Sequence, residues 1–229
     1  MDTTTADLTR VRALMARATG DEKHDESSTS TLDALWVLYD RIMRVDPAAP
    51  DDPTRDRFLL SKGHGPVALY AILAAKGFIP ESALDAFMDP GGILGSHPDR
   101  TQVPGVEAST GSLGHGLAMA VGVALALRAA GRREPRAICL VGDAEMNEGS
   151  NWEAVLIAPS LDLGNLTMVV IDNHSSTPDM SPWSARLGAF GWDVVEVDGH
   201  DADALETALR RRHERTPVAV VADIPRGEW

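Results

Sequence analysis

This 229-residue sequence predicts an α/β fold, a mainly parallel sheet flanked by helices. Three observations predict it. Short stretches rich in Val, Ile and Leu recur at 57–60, 106–109, 137–141, 166–172, 193–197 and 218–224. Several are apolar at nearly every position instead of alternating, which is what a strand covered on both faces needs. Helical patterns at 31–44, 66–76, 113–130, 151–161 and 201–212 fall between them, and such alternation builds a parallel sheet.

The helix at 31–44 has Asp33 near its start, and Ser82 and Asp201 also sit where helix starts want capping groups. The strand at 57–60 opens into Ser61-Lys62-Gly63-His64-Gly65, and the helix at 66–76 follows. The strand at 106–109 ends in Thr110-Gly111-Ser112-Leu113-Gly114. The helix after it holds the longest apolar run, 117–127, which Arg128 ends before it is long enough to span a bilayer. The next strands end in Gly142-Asp143-Ala144 and Asn173-His174-Ser175. Loop-like composition is confined to 46–55, 91–104 and 175–184, and no internal repeat is visible.

In open α/β sheets, ligands gather outside the carboxyl ends of the strands. A glycine at one strand end is ordinary turn geometry. Four polar loops on the same edge, three of them bearing glycine, point to a site.

Composition narrows the partners. The 21 Lys and Arg against 34 Asp and Glu leave a net charge of −13. A surface that acidic repels phosphate backbones and anionic lipid, so nucleic acid and membrane are poor partners. The single Cys139 lies in an apolar stretch and rules out a disulfide framework within the chain. Arg10, Arg12 and Arg17 interrupt any signal-peptide core. A cytoplasmic protein is the expectation.

The richest segment runs from Val141 through Gly142, Asp143, Ala144 and Glu145 to Gly149, with Trp152-Glu153-Ala154 beyond. Asp143 and Asn173, a carboxylate and a carboxamide at neighbouring strand ends, are hard-oxygen ligands suited to Mg²⁺ or Ca²⁺. Small residues at Gly142 and Ala144 let backbone N–H groups approach an anion beside a helix start. Together these are the parts of a metal–diphosphate clamp. No Gly-x-Gly-x-x-Gly opens a helix, and neither a phosphate-binding loop ending in Gly-Lys-Ser/Thr, a His-Glu-x-x-His nor a Gly-x-Ser-x-Gly elbow occurs.

Gly142-Asp143 followed 30 residues later by Asn173 resembles the thiamine diphosphate motif of the transketolase family. Further segments resemble that family in order: Asp56 to Gly65, Gly95-Ser96-His97-Pro98, Pro104 to Gly116, and Glu148-Gly149-Ser150-Asn151-Trp152-Glu153-Ala154. The resemblance runs roughly from Leu8 to Arg226. It implies one domain over 1–229, the diphosphate-binding (PP) domain, with pyrimidine-binding and C-terminal domains on a partner subunit in an α2β2 heterotetramer.

The resemblance also implies roles. Asp143, Asn173 and the backbone carbonyl of Ser175 would ligate Mg²⁺, or Ca²⁺. His64, Gly142 and the N–H of Ala144 would meet the diphosphate of thiamine diphosphate, while Gly111, Ser112 and Leu113 would lie along the aminopyrimidine. Counting back from Leu38-Tyr39 puts His24, and the next motif His97, on the side of a small-molecule substrate, where imidazoles suit proton transfer near neutral pH. Glu148 and Glu153 match acidic positions linking cofactor sites across the family's dimer. Their offset of five does not set them squarely on one helix face, and Glu148 alternatively complements a helix dipole.

Three departures stand out: Ala144 in place of the motif's second Gly, the acidic run Glu22-Lys23-His24-Asp25-Glu26, and Ser176-Thr177-Pro178-Asp179 after the motif's end. The activity implied is transfer of a two-carbon ketol or related acyl unit to an aldehyde-like acceptor. A different thiamine diphosphate synthase or 2-oxoacid-decarboxylating half-enzyme, or a non-catalytic scaffold, are the alternatives.

Overall fold

The computed structural model describes residues 3–20 and 25–225. Among the described residues, five strands form one all-parallel sheet: β1 (Arg57–Leu60), β2 (Ala137–Gly142), β3 (Leu166–Asp172), β4 (Asp193–Asp198) and β5 (Val218–Asp223). Their order is β1-β2-β3-β5-β4. The helices are α1 (Thr3–Met15), α2 (Asp25–Thr29), α3 (Leu32–Val37), α4 (Val67–Ala75), α5 (Gly116–Ala129), α6 (Gly149–Ser160), α7 (Trp183–Ala189) and α8 (Ala202–Leu209). The architecture is the one the sequence predicts.

Successive strand residues point to opposite faces, and here both faces are covered. Ile138, Leu140, Val169, Ile171 and Val220 join Leu35, Ile72 and Leu205 in one core, beneath α3, α4 and α8. Cys139, Val141, Met168, Val170 and Val221 join Val121, Val155 and Leu187 in the other, beneath α5, α6 and α7. That is why the central strands read as unbroken apolar runs. β4, at the edge, is only partly buried along its length.

Four expectations need correction. No strand forms at 106–109: Pro104-Gly105 turns the chain with Gly105 at φ +89, and Thr110 reaches the sheet through its hydroxyl, which donates to Leu60 O at 2.6 Å. The helix expected over 31–44 is α only to Val37 and continues as a π-helix over Leu38–Ile42, where Met43 N bonds Leu38 O. α5 begins at Gly116 and not at Leu113, because Gly111 and Gly114 both hold positive φ. Asp201 caps α8, its carboxylate accepting from Asp203 N and Ala204 N, but Asp33 and Ser82 cap nothing. Asp33 instead accepts from His200 Nδ1 at 2.7 Å. Beyond those expectations, α1 and α7 are short of a legible apolar stripe, with Val11 and Leu14 buried in the first and Trp183 and Leu187 in the second. Among the described residues, no helix is long and apolar enough to cross a membrane.

Candidate active site

The carboxyl ends of β1, β2 and β3 carry three loops that pack on one another. After β1, a Cβ on Gly63 would lie 2.7 Å from Gly111 N, so the glycine is what lets the 61–65 and 110–114 loops touch. Gly65, at φ +102, is pressed against Ser27, whose hydroxyl donates to His64 O at 2.8 Å. His64 is half-buried there. His97 is held by its own carbonyl, which accepts from Tyr70 Oη at 2.9 Å, and its ring lies against Gly111. Ser112 is exposed and Leu113 half-buried beside it.

At the end of β2 the chain leaves the sheet through Gly142. A Cβ there would meet the Lys62 stem at 3.2 Å, which ties this loop to the one after β1. Asp143 is 1% exposed, and its N–H still extends the ladder to Ile171 O at 3.0 Å. Ala144 opens a short 3-10 turn, Ala144–Asn147, with a negative φ that any residue adopts. Its methyl therefore imposes no backbone strain.

Two ionisable groups that sequence reasoning did not assign lie beneath these loops. The Glu145 carboxylate accepts from Ser61 Oγ, from Gly114 N at 2.9 Å and from Gly142 N at 3.2 Å, thereby joining the loop after β1, the 110–114 loop and the end of β2. Burial pushes its pKa up against those hydrogen bonds. Lys62 Nζ donates to Ser27 O at 3.1 Å and Ser30 Oγ at 3.0 Å. Burial lowers its pKa to about 8, opposed by Asp143 and Glu145. Their signal was present in the motifs themselves, as charged residues within glycine-bearing segments that must pack together.

β3 ends beside β2. The Asp143 carboxylate accepts from Ser175 N and Ser175 Oγ, both at 2.6 Å, and from Ser176 N at 2.9 Å. Ser175 thus meets Asp143 through its N–H and hydroxyl, whereas the expectation concerned its carbonyl as a metal ligand. Asn173 is 8% exposed, and its Oδ1 is buried without a hydrogen-bond partner. A buried amide oxygen left unbonded costs about 1–3 kcal/mol. A hard cation beside the Asp143 carboxylate would satisfy it, so this pair fits Mg²⁺ or Ca²⁺. Among the described residues no group of three or more His, Cys, Asp or Glu could hold a metal.

Glu148 precedes α6 and is exposed, its Cβ and Cγ packed over Gly114, while Glu153 is exposed one turn further on. The structure does not bring these two together. His24 lies outside the described residues.

The family profile described as "Transketolase, thiamine diphosphate binding domain" matches residues 1–222. The chain is 37% identical to "6-deoxy-6-sulfo-D-fructose transketolase subunit SqwG" of Clostridium sp. (strain MSTE9), across 90% of this chain and 78% of that protein. It is 40% identical to one of the subunits of the apulose-4-phosphate transketolase of Phocaeicola vulgatus, across 82% and 67%. It is 50% identical to "Ferredoxin fas2" of Rhodococcoides fascians, across 93% and 71%. The solved "Transketolase from Leishmania mexicana" superposes with a TM-score of 0.86 at 28% identity, across 97% of this chain and 37% of that one. The chain spans little more than a third of that enzyme. It belongs to the transketolase family, as a thiamine diphosphate-binding domain.

Proposed function

We propose that the chain is the N-terminal, diphosphate-binding subunit of a two-subunit transketolase. With a partner subunit carrying the pyrimidine-binding and C-terminal domains, it transfers a two-carbon ketol, or a related acyl unit, from a ketose-like donor to an aldehyde-like acceptor. The single observation that carries this reading is the buried, unbonded Oδ1 of Asn173 at the strand end beside Asp143.

Asp143, Asn173 and the Ser175 carbonyl would hold Mg²⁺, or Ca²⁺, against the diphosphate. To do so Asp143 must give up hydrogen bonds now made by Ser175 and Ser176. When bound, thiamine diphosphate supplies a nucleophilic thiazolium carbon and an electron sink for carbon–carbon cleavage. The chain's own residues do the rest. Gly142 and Ala144 leave backbone room for anionic oxygens, and His64 donates to them. Gly111, Ser112 and Leu113 border the aminopyrimidine. His97, whose ring lies against Gly111 with its Nδ1 3.1 Å from Ser96 Oγ, would move a proton at the donor hydroxyl. His24 shares that task, and Glu148 and Glu153 link the site to its neighbour in an α2β2 assembly.

The partner is supported by relatives that are themselves named as subunits. An exposed apolar surface on α5 and α6 also supports it: Leu156 is 57% exposed, Ile157 44% and Met119 38%. Apolar surface of that kind beside a site suits an interface with another chain. A single domain over 1–229 and a cytoplasmic location, consistent with one buried free thiol at Cys139, complete the reading.

The test is to co-purify the chain with its partner and assay ketol transfer with Mg²⁺ and thiamine diphosphate. Activity is expected only from the pair, and Asp143→Asn should abolish metal-dependent cofactor binding. Full activity in that variant overturns the ligand assignment.

A further inference from the structure

The opposite edge of the sheet, where the strands begin, carries a feature that the reaction does not use. A cavity of about 350 Å³ lies there, lined by Arg44, Arg136, Arg210, Arg212, Asp56 and Ile42. Among the described residues, Asp56 is its one lining carboxylate, and it is already committed: it accepts from Arg44 N at 2.9 Å and Arg136 N at 2.7 Å. Its ion pair with Arg44 is long, at 3.9 Å. Arg136 is 5% exposed and spends a guanidinium N–H on a neutral acceptor, Leu209 O, at 2.8 Å. Arg212 does likewise with Glu134 O at 2.8 Å. Arg210 is paired with Glu206, and Glu134 reaches Arg44 only at 4.0 Å from an exposed position. Burial holds the Arg136 pKa below the ordinary arginine value; Asp56 opposes the shift, and the nearby Arg212, Arg44 and Arg210 add to it. In a chain of net charge −13 this is a local excess of positive charge inside a concavity.

We propose that this cavity binds a small phosphate-bearing anion, gripped by Arg44, Arg136 and Arg212. Guanidinium forks match phosphate oxygens in pairs, and a desolvated, under-compensated cation gains most from such a partner. The volume is that of a small-molecule site. A second cavity of about 300 Å³ shares Arg212 and adds Arg128, Arg132 and Arg133, but Asp162 and Glu214 line it as well. There, Arg128 and Arg132 also donate to backbone carbonyls, of Leu161 and Pro53. This site stands apart from the metal-binding strand ends and does not depend on the transketolase reading.

The test is calorimetric titration of the full chain, without Mg²⁺ or thiamine diphosphate, with inorganic phosphate and separately with glycerol phosphate at constant ionic strength. Saturable binding is expected, with a rise in the thermal midpoint. Arg44→Gln and Arg212→Gln, both exposed and so tolerated by the fold, should each weaken binding about tenfold. Preference for glycerol phosphate identifies an organic phosphate as the ligand, and preference for phosphate identifies the free ion. Either result supports the site. No saturation with either probe, or binding that both variants leave unchanged, overturns the proposal. So does an oligoglutamate peptide that binds in their place.

Discussion

The His97 imidazole occupies the space that a side chain on Gly111 would need. A Cβ there would come within 2.5 Å of the ring carbon Cδ2, and Gly111 holds φ at +133. Gly111→Ala must therefore both strain the backbone and displace the ring. Strain of this kind costs about 1–3 kcal/mol. Chemical denaturation should show a loss of that size. In the His97→Ala background the collision disappears but the backbone strain remains, so the double variant should recover only part of the loss. Full additivity would mean that the two residues do not meet.

Asn173 and Asp143 separate a functional cost from a structural one. Because Asn173 Oδ1 has no partner, Asn173→Ala should leave the metal-free stability nearly unchanged. Adding Mg²⁺ and thiamine diphosphate should raise the wild-type thermal midpoint, and chelation with EDTA should reverse it. In Asn173→Ala that rise should vanish. A large metal-free destabilisation would show instead that the amide oxygen has a structural partner.

Glu145 is the knot beneath the loops, since it accepts from Ser61, Gly114 and Gly142 together. Glu145→Gln turns one acceptor end into a donor facing donors, and removes the charge that offsets Lys62. A buried hydrogen-bonded charge is worth roughly 2–4 kcal/mol by such a deletion. Denaturation should report that loss, and cofactor binding should weaken because the three loops lose their common anchor. Stability equal to wild type would show the carboxylate to be dispensable.

The sheet was readable in the sequence because period-2 burial on both faces leaves nearly continuous apolar runs in β2, β3 and β5. The site loops were readable because Gly63, Gly65 and Gly111 record close approaches that only glycine allows. Three features were hidden, two of them because they depend on contacts distant in sequence. The π-helix after Val37 has an ordinary helical pattern, and the Asp33–His200 pair spans most of the chain. The Val106 segment has strand composition, yet its neighbour Thr110 docks by a hydroxyl instead of a ladder. The arginine cavity is likewise scattered across four separate segments, and no local motif announces it.

Lys62 gives the fold a pH signature. Its pKa in the folded chain is about 8, against an ordinary lysine value of 10.5, because burial disfavours the charged form. Between those values the unfolded chain still holds the proton that the folded chain has released. The unfolded state then binds more protons, so this group adds stability as pH rises from about 8 towards 10. Cys139, Tyr39 and Tyr70 act the other way, since burial raises their pKa values. Lys62→Met keeps those groups and removes the amine, so the difference between the two proteins isolates it. Measured by denaturation in EDTA, the wild type should gain on Lys62→Met by on the order of 1–3 kcal/mol across that window. A difference that stays flat with pH would show that Lys62 keeps its proton in both states.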